Sequence, residues 1–186
     1  MANVNFPRGL QPYGNLLQVT EYTLSSAYAQ DLFIWDPVVV NGTSRDVVIA
    51  TAGTGNKITG SIVGIYDLNK VPLQYWDSGH VGIGYVLVAD DPRQLFIAQG
   101  DGDTSYLDAN DANGNVNLIG GAGSTVNYLS GWEINDSDTG GNTAGDQVRL
   151  IRADQRVDNT VGLANADWLL RINNHTANAG IVGVGV

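Results

Sequence analysis

Apolar residues along this chain recur in short runs broken by Gly, Asn, Asp and Pro. Nowhere does a 3.6-residue periodicity persist long enough to predict a fold-defining helix. The runs predict strands over 16–24, 32–40, 46–52, 57–68, 82–89, 94–99, 115–119, 125–134, 147–152 and 167–172. Within Gly84-Tyr85-Val86-Leu87-Val88-Ala89 the side chains alternate, as on a sheet with two different faces. Leu32-Phe33-Ile34-Trp35 is apolar on both faces and predicts a central or covered strand. In the last run Trp168, Leu170 and Ile172 share one face. Short strands with turn residues between them predict an all-β fold, an antiparallel β-barrel or sandwich rather than βαβ units. Only Ser25–Asp31 and Ser105–Asn110 leave room for a short helix.

Several segments depart from this pattern and predict extended N- and C-terminal arms and long acidic loops. Residues 1–15 hold Pro7, Gly9, Pro12 and Gly14, which oppose helix and regular ladder pairing, so an extended arm anchored by Phe6, Leu10 and Tyr13 is expected. Residues 100–117 and 135–146 are polar, acidic loops. Residues 16–175 form the β-rich core domain. Residues 176–186 form an apolar, Gly-rich tail whose Ile181, Val182, Val184 and Val186 are expected to be covered by another surface, because solvated termini are usually polar. Deleting residues 1–14 or 176–186 is accordingly expected to leave the domain folded.

Composition sharpens the picture chiefly through charge. The formal net charge is −10 over 186 residues, with nine Lys and Arg. Phosphate backbones and anionic lipid repel such a chain, so neither nucleic acid nor membrane is an expected partner. The absence of cysteine removes disulfide scaffolds, thiolate metal sites and a Cys nucleophile. Met-Ala-Asn-Val-Asn-Phe-Pro-Arg has no basic region followed by an apolar one, so synthesis in a cytoplasm is expected, and the sequons at Asn41, Asn135 and Asn174 are read as chance.

Candidate chemistry fails on spacing. Asp101, Asp103, Asp108, Asp111 and Asn113 could offer oxygens to calcium, but neither possible loop start places Asp, Gly and Glu in EF-hand register. Ala52-Gly53-Thr54-Gly55-Asn56-Lys57 lacks P-loop spacing, and Gly120-Gly121-Ala122-Gly123-Ser124 lacks a dinucleotide fingerprint; both read as hairpin turns needing positive φ. Asp77, Ser78 and His80 diverge from one tight turn, whereas a triad converges from separated segments. Asp90-Asp91-Pro92 reads as a turn, and His175, after Asn173 and Asn174, as a turn or interface residue. No enzyme and no cofactor is expected. Trp35, Trp76, Trp132 and Trp168 read as core or interface residues. The alternative is a carbohydrate-binding β-sandwich, an adhesion module using Trp76 or Trp132 on a virion or cell surface.

Several phrases taken together carry a resemblance: Asp36-Pro37-Val38, Ile62-Val63-Gly64, Tyr85-Val86-Leu87-Val88-Ala89-Asp90-Asp91-Pro92, Leu150-Ile151-Arg152, Val157-Asp158-Asn159 and Trp168-Leu169-Leu170-Arg171-Ile172-Asn173-Asn174-His175. With the opening Met-Ala-Asn-Val and Pro7-Arg8-Gly9-Leu10-Gln11-Pro12, the chain resembles the capsid decoration (cement) proteins of tailed bacteriophages. The resemblance runs in order along nearly the whole chain. It implies a β-barrel-like structural virion protein, made in the bacterial host cytoplasm, that assembles as a homotrimer on the exterior of an icosahedral head and binds the major capsid protein. Together with the arms, it places capsid or subunit contacts at Phe6, Pro7, Leu10, Pro12, Tyr13, Trp168, Arg171, His175, Ile181, Val182, Val184 and Val186.

Overall fold

A computed structural model describes residues 2–42, 45–103, 105–138 and 143–178. The chain is all-β, with strands β1 (Gln11–Tyr13), β2 (Val19–Leu24), β3 (Pro37–Val40), β4 (Val47–Ile49), β5 (Gly60–Tyr66), β6 (Pro72–Leu73), β7 (Gly84–Ala89), β8 (Leu95–Gln99), β9 (Asn115–Val116), β10 (Leu118–Ile119), β11 (Glu133–Ile134), β12 (Val148–Ala153) and β13 (Asp167–Ile172). One sheet has the order β1-β8-β13-β12-β9, a second β2-β7-β5-β3-β4 with β6 beside β5, and β10 pairs β11. All of these ladders are antiparallel. The second sheet curls until its ends touch at one bridge, Thr23 to Asp46, where the Thr23 amide donates to the Arg45 carbonyl. A single bridge closes no barrel, so the architecture is sandwich-like.

Burial follows the pleat. Trp168, Leu170 and Ile172 of β13 pack with Phe96, Ala98, Val148 and Leu150 into one core, joined by Ala89 and Ile58 from the second sheet's side. Val86 and Val88 of β7 face a second core with Leu24, Leu32, Val38, Ile62 and Trp76. Ile49 touches both cores, at the seam between the layers.

Three expectations change. The run Leu32–Trp35 is covered, with Leu32 and Phe33 buried, but it is no strand. It makes only isolated bridges, Leu32 to Trp76 and Ile34 to Leu129, and ends at Trp35 with φ 70°. Residues 125–134 are mostly turn, with Tyr128 at φ 60° and ladder only at Glu133–Ile134. The glycines of the preceding 120–124 segment, read as turn glycines needing positive φ, provide space instead. A Cβ on Gly121 would lie 2.0 Å from the Gly131 carbonyl oxygen, and one on Gly123 2.1 Å from the Phe33 ring. By contrast Gly53 and Gly55 do adopt positive φ.

The N-terminal segment is the third change. Gln11-Pro12-Tyr13 pairs with β8 despite Pro12, because β1 is the sheet's terminal strand and an edge tolerates a missing N–H. Leu10 is 0% exposed, inside the first core. Its amide donates to the Trp35 carbonyl, and its carbonyl accepts from the Ser61 hydroxyl at 2.6 Å. Farther out, Gln99 clamps the chain by accepting from the Phe6 amide and donating to the Val4 carbonyl. Residues 3–13 are thus built into the domain rather than held away from it.

Gly84 gives the second core a sharp test. A Cβ there would sit 2.3 Å from the ring of fully buried Trp76. Gly84→Ala is expected to destabilise the domain by about 1–3 kcal/mol, as overpacking does. Urea unfolding followed by Trp fluorescence reads this directly, and an unchanged midpoint would refute the packing assigned to Trp76.

Candidate binding surface

The residues with catalytic or metal-binding character close turns. Asp77 accepts from the Gly79 amide through its side chain and from the His80 amide through its carbonyl, while the Ser78 amide donates to Asp31. The His80 ring packs against Trp76 at a tilt of 49°, with ring centroids 4.2 Å apart. Asp108 and Asp111 form a reciprocal cap around a short 3₁₀ turn, and Asp103 accepts from the Ser105 amide. Among the described residues, no group of three His, Asp or Glu is arranged to hold a metal ion.

One group of carboxylates is electrostatically unusual. Asp136 is buried, with Oδ1 2.1 Å from where a Cβ on Gly100 would stand, and its Oδ2 accepts from the Gly102 amide. Burial, with Asp101, Asp103 and Glu133 nearby, pushes its carboxyl up to about 7. Glu133 is pushed up to about 7 by burial and by the Asp101 charge. Asp36, buried and bonded to the Phe33 amide, is pushed up to about 6 by desolvation. His175 is also buried; desolvation lowers its pKa, and its Nδ1 accepts from the Ala177 amide, which puts the neutral ring's proton on Nε2. The Asn173-Asn174-His175 turn is therefore interior structure tying the end of β13 to Gln147 and Ile58.

The residues expected to make contacts divide sharply by burial. Leu10, Trp168 and His175 lie inside the domain and cannot meet a partner without unfolding, which corrects their assignment as contact residues. Pro7 and Pro12 are half-buried, whereas Phe6, Tyr13 and Arg171 are exposed. Ile181, Val182, Val184 and Val186 lie outside the described residues. Trp76, Trp132 and Trp168 are buried, so the two tryptophans assigned to sugar binding offer no accessible face. Trp35 is half-buried and lines an open groove of about 600 Å³ with Phe6, Tyr13, Ile97 and Leu129, rimmed by Asp154 and Arg156.

Exposed side chains along the N-terminal segment mark a surface that sequence reading located only in part. Val4, Phe6, Tyr13, Leu16, Leu17 and Val19 are all exposed. Between Gly9 and Thr20 the chain carries no charged residue, in a protein of net charge −10. Leu16 and Leu17 were absorbed into a predicted strand that begins only at Val19. Their signal was the Gly-Asn break just before them. Beside this strip, a buried ion-pair cluster fixes the segment: Arg8 contacts Asp167 at 2.8 Å, and Arg156 contacts the other Asp167 oxygen and Asp154. Compared with protein-family models, curated proteins and solved structures, the chain matches none.

Proposed function

We propose that this protein is a structural virion component, a decoration protein that binds the outer surface of a tailed-phage head and stabilises the assembled lattice. The observation that carries this reading is the strip of exposed apolar side chains from Val4 to Val19 on an otherwise acidic protein, a strip whose one charged residue, Arg8, is buried against Asp167. Exposed apolar patches mark interaction surfaces, and the polar, self-repelling remainder suits a densely arrayed exterior. The sequence resemblance supplies the partner, the major capsid protein, and the homotrimeric arrangement. The action is mass-action linkage: a clamp that binds the assembled shell but not its dissociated subunits shifts the equilibrium toward the shell. Several copies acting together tolerate a modest contact at each.

Leu16→Asp/Leu17→Asp tests this reading, because both side chains are exposed and the domain does not need them for its core. Co-sedimentation with heads lacking the protein is expected to fall at least about tenfold, while the circular dichroism spectrum is unchanged. Undiminished head binding by the double variant would remove the strip from the interface. No binding of the intact chain to heads would remove the function. Trp76→Ala no longer tests glycan recognition, since the indole it deletes is core.

A further inference from the structure

Phe6, Tyr13 and Trp35 line a single open groove of about 600 Å³, within the about 300–1,000 Å³ of small-ligand sites. Trp35 sits there at φ 70°, a region that bulky residues rarely enter. The backbone is held there from both sides: the Trp35 amide donates to the Ile62 carbonyl at 2.8 Å, and its carbonyl accepts from the Leu10 amide at 3.0 Å. Glycine or asparagine would meet the same turn at less cost, so the indole supplies something the turn does not need. Strained residues that their surroundings over-determine cluster at functional sites. Core packing does not account for this one, because Trp76, Trp132 and Trp168 are buried whereas Trp35 stays partly accessible. Polar groups stand around the same space. The side chains of Gln11, Tyr13 and Trp35 make no hydrogen bond to the described residues, which leaves an amide, a phenol and an indole N–H unused on residues that line the groove. Arg8, Asp154 and Arg156 line it too, with their charges already matched: Arg8 by Asp167 at 2.8 Å, and Arg156 by Asp154 at 3.0 Å.

We propose that this groove binds a short neutral oligosaccharide, with sugar rings stacked on Trp35 and Tyr13 and hydroxyls bonded by Gln11, Asp154 and Arg156. A pyranose has an apolar C–H face that packs on an aromatic ring, and a rim of hydroxyls that both donate and accept. The Gln11 amide does both as well, and Asp154 beside Arg156 sets an acceptor next to donors, the pairing that two adjacent hydroxyls present. Charge and hydrogen-bonding capacity select the ligand class. A chain of net charge −10 repels phosphate and sulfate, and guanidiniums already paired offer an anion no uncompensated cation. A proline-rich peptide also docks on aromatic grooves, but its prolines have no N–H to give Asp154. The site lies at Trp35, whose indole is accessible, rather than at Trp76 or Trp132, which are core. Phe6 and Tyr13 belong to the Val4–Val19 strip as well, whereas Trp35, Asp154 and Arg156 lie outside it. Sugar binding at the groove therefore goes beyond the capsid reading and is tested apart from it.

Acrylamide quenching of tryptophan fluorescence in the full chain tests it, because Trp35 is accessible and the other tryptophans are buried. Linear trimers of glucose, mannose, galactose and N-acetylglucosamine are titrated in turn, and at least one is expected to shield the indole saturably. A sulfated trisaccharide is expected to leave it unshielded. Saturation-transfer NMR, which observes the sugar, then compares variants. Tyr13→Ala, at an exposed position, and Trp35→Asn, which puts a residue suited to positive φ into the turn, are each expected to weaken binding by about tenfold or more while keeping a cooperative melting transition. Shielding by none of the trimers, or only by the sulfated sugar or a proline-rich decapeptide, would overturn the proposal. So would Tyr13→Ala and Trp35→Asn variants that bind the sugar as the parent does. Binding to phage heads is scored in parallel, and Trp35→Asn is expected to decorate heads as the parent does. A chain that decorates heads but binds no sugar sinks only this site. A chain that binds sugar but ignores heads sinks only the capsid reading.

Discussion

Leu10→Ala is expected to destabilise the domain by about 2–5 kcal/mol, the range for truncating a fully buried leucine, out of a total that for most domains is only about 5–15 kcal/mol. The side chain is 0% exposed within the core of Phe96, Trp168 and Leu170, and its backbone bonds to Trp35 and Ser61 leave the surrounding chain little freedom to collapse into the space. Deleting residues 1–14 goes further. It removes Leu10, the β1 ladder on β8 and the Arg8 guanidinium, leaving buried Asp167 with Arg156 as its remaining cation. Removing one partner from a buried charge cluster is costly because the other charge stays desolvated. The truncated chain is therefore expected to lack a cooperative urea transition, in contrast to the sequence-based expectation of an intact domain. A truncated chain as stable as the full one would show that Leu10 does not close this core.

Stability is expected to fall as pH rises from about 5 to about 8, the reverse of the usual behaviour of paired carboxylates. Asp136 and Glu133 ordinarily titrate at 3.8 and 4.5 and are pushed up to about 7 in the fold. Between those limits the folded state binds more protons than the unfolded chain, so raising the pH favours unfolding. The penalty is absent below the unfolded values and complete above about 7. Asp36, raised to about 6, adds to the same trend. His175 works from the other side: its lowered value makes protonation unfavourable in the fold, so stability is lost as pH drops below the 6.5 of a free histidine. With three carboxylates set against one histidine, the net slope stays downward from about pH 5 to about 8, and His175 only softens it at the acid end. Asp136→Asn keeps an acceptor for the Gly102 amide while removing the charge, so it should raise the melting temperature at pH 8 and flatten the slope. A melting temperature that climbs steadily from pH 5 to 8 would contradict the burial assigned to these carboxylates.

The legible parts of the fold were those in which local pattern and tertiary environment agree. Residues 167–172 alternate in sequence, and β13 occupies that range with Trp168, Leu170 and Ile172 inward, as the periodicity requires. The two-residue period also located most of β5, β7, β8 and β12. It failed at Leu32–Trp35, where burial comes from packing between elements and the backbone turns through a left-handed Trp35. It failed again at β1, because Pro12 argues against a strand unless the strand is known to be an edge. Among site residues, aromatic and apolar type alone could not separate Phe6 and Tyr13, which are exposed, from Leu10 between them, which is core. Tyr13 and Trp35 come from separate segments, and nothing local says that they line one groove.

Alone, the sequence determined the all-β class, the acidic balance, the missing catalytic and metal spacings and the faces of the long alternating strands. These follow from backbone geometry, net charge and residue spacing, which need no knowledge of neighbours. Tertiary structure decided that the sheets stack with one curled rather than closing a barrel, and that the N-terminal segment is a sheet edge and core plug rather than a free arm. It also decided that three tryptophans and His175 are interior, while an apolar strip along the N-terminal segment lies outside. The physical reason is common to all of these. Burial, register and the pairing of distant charges depend on which strands become neighbours, and most contacts of this fold join residues far apart in the chain.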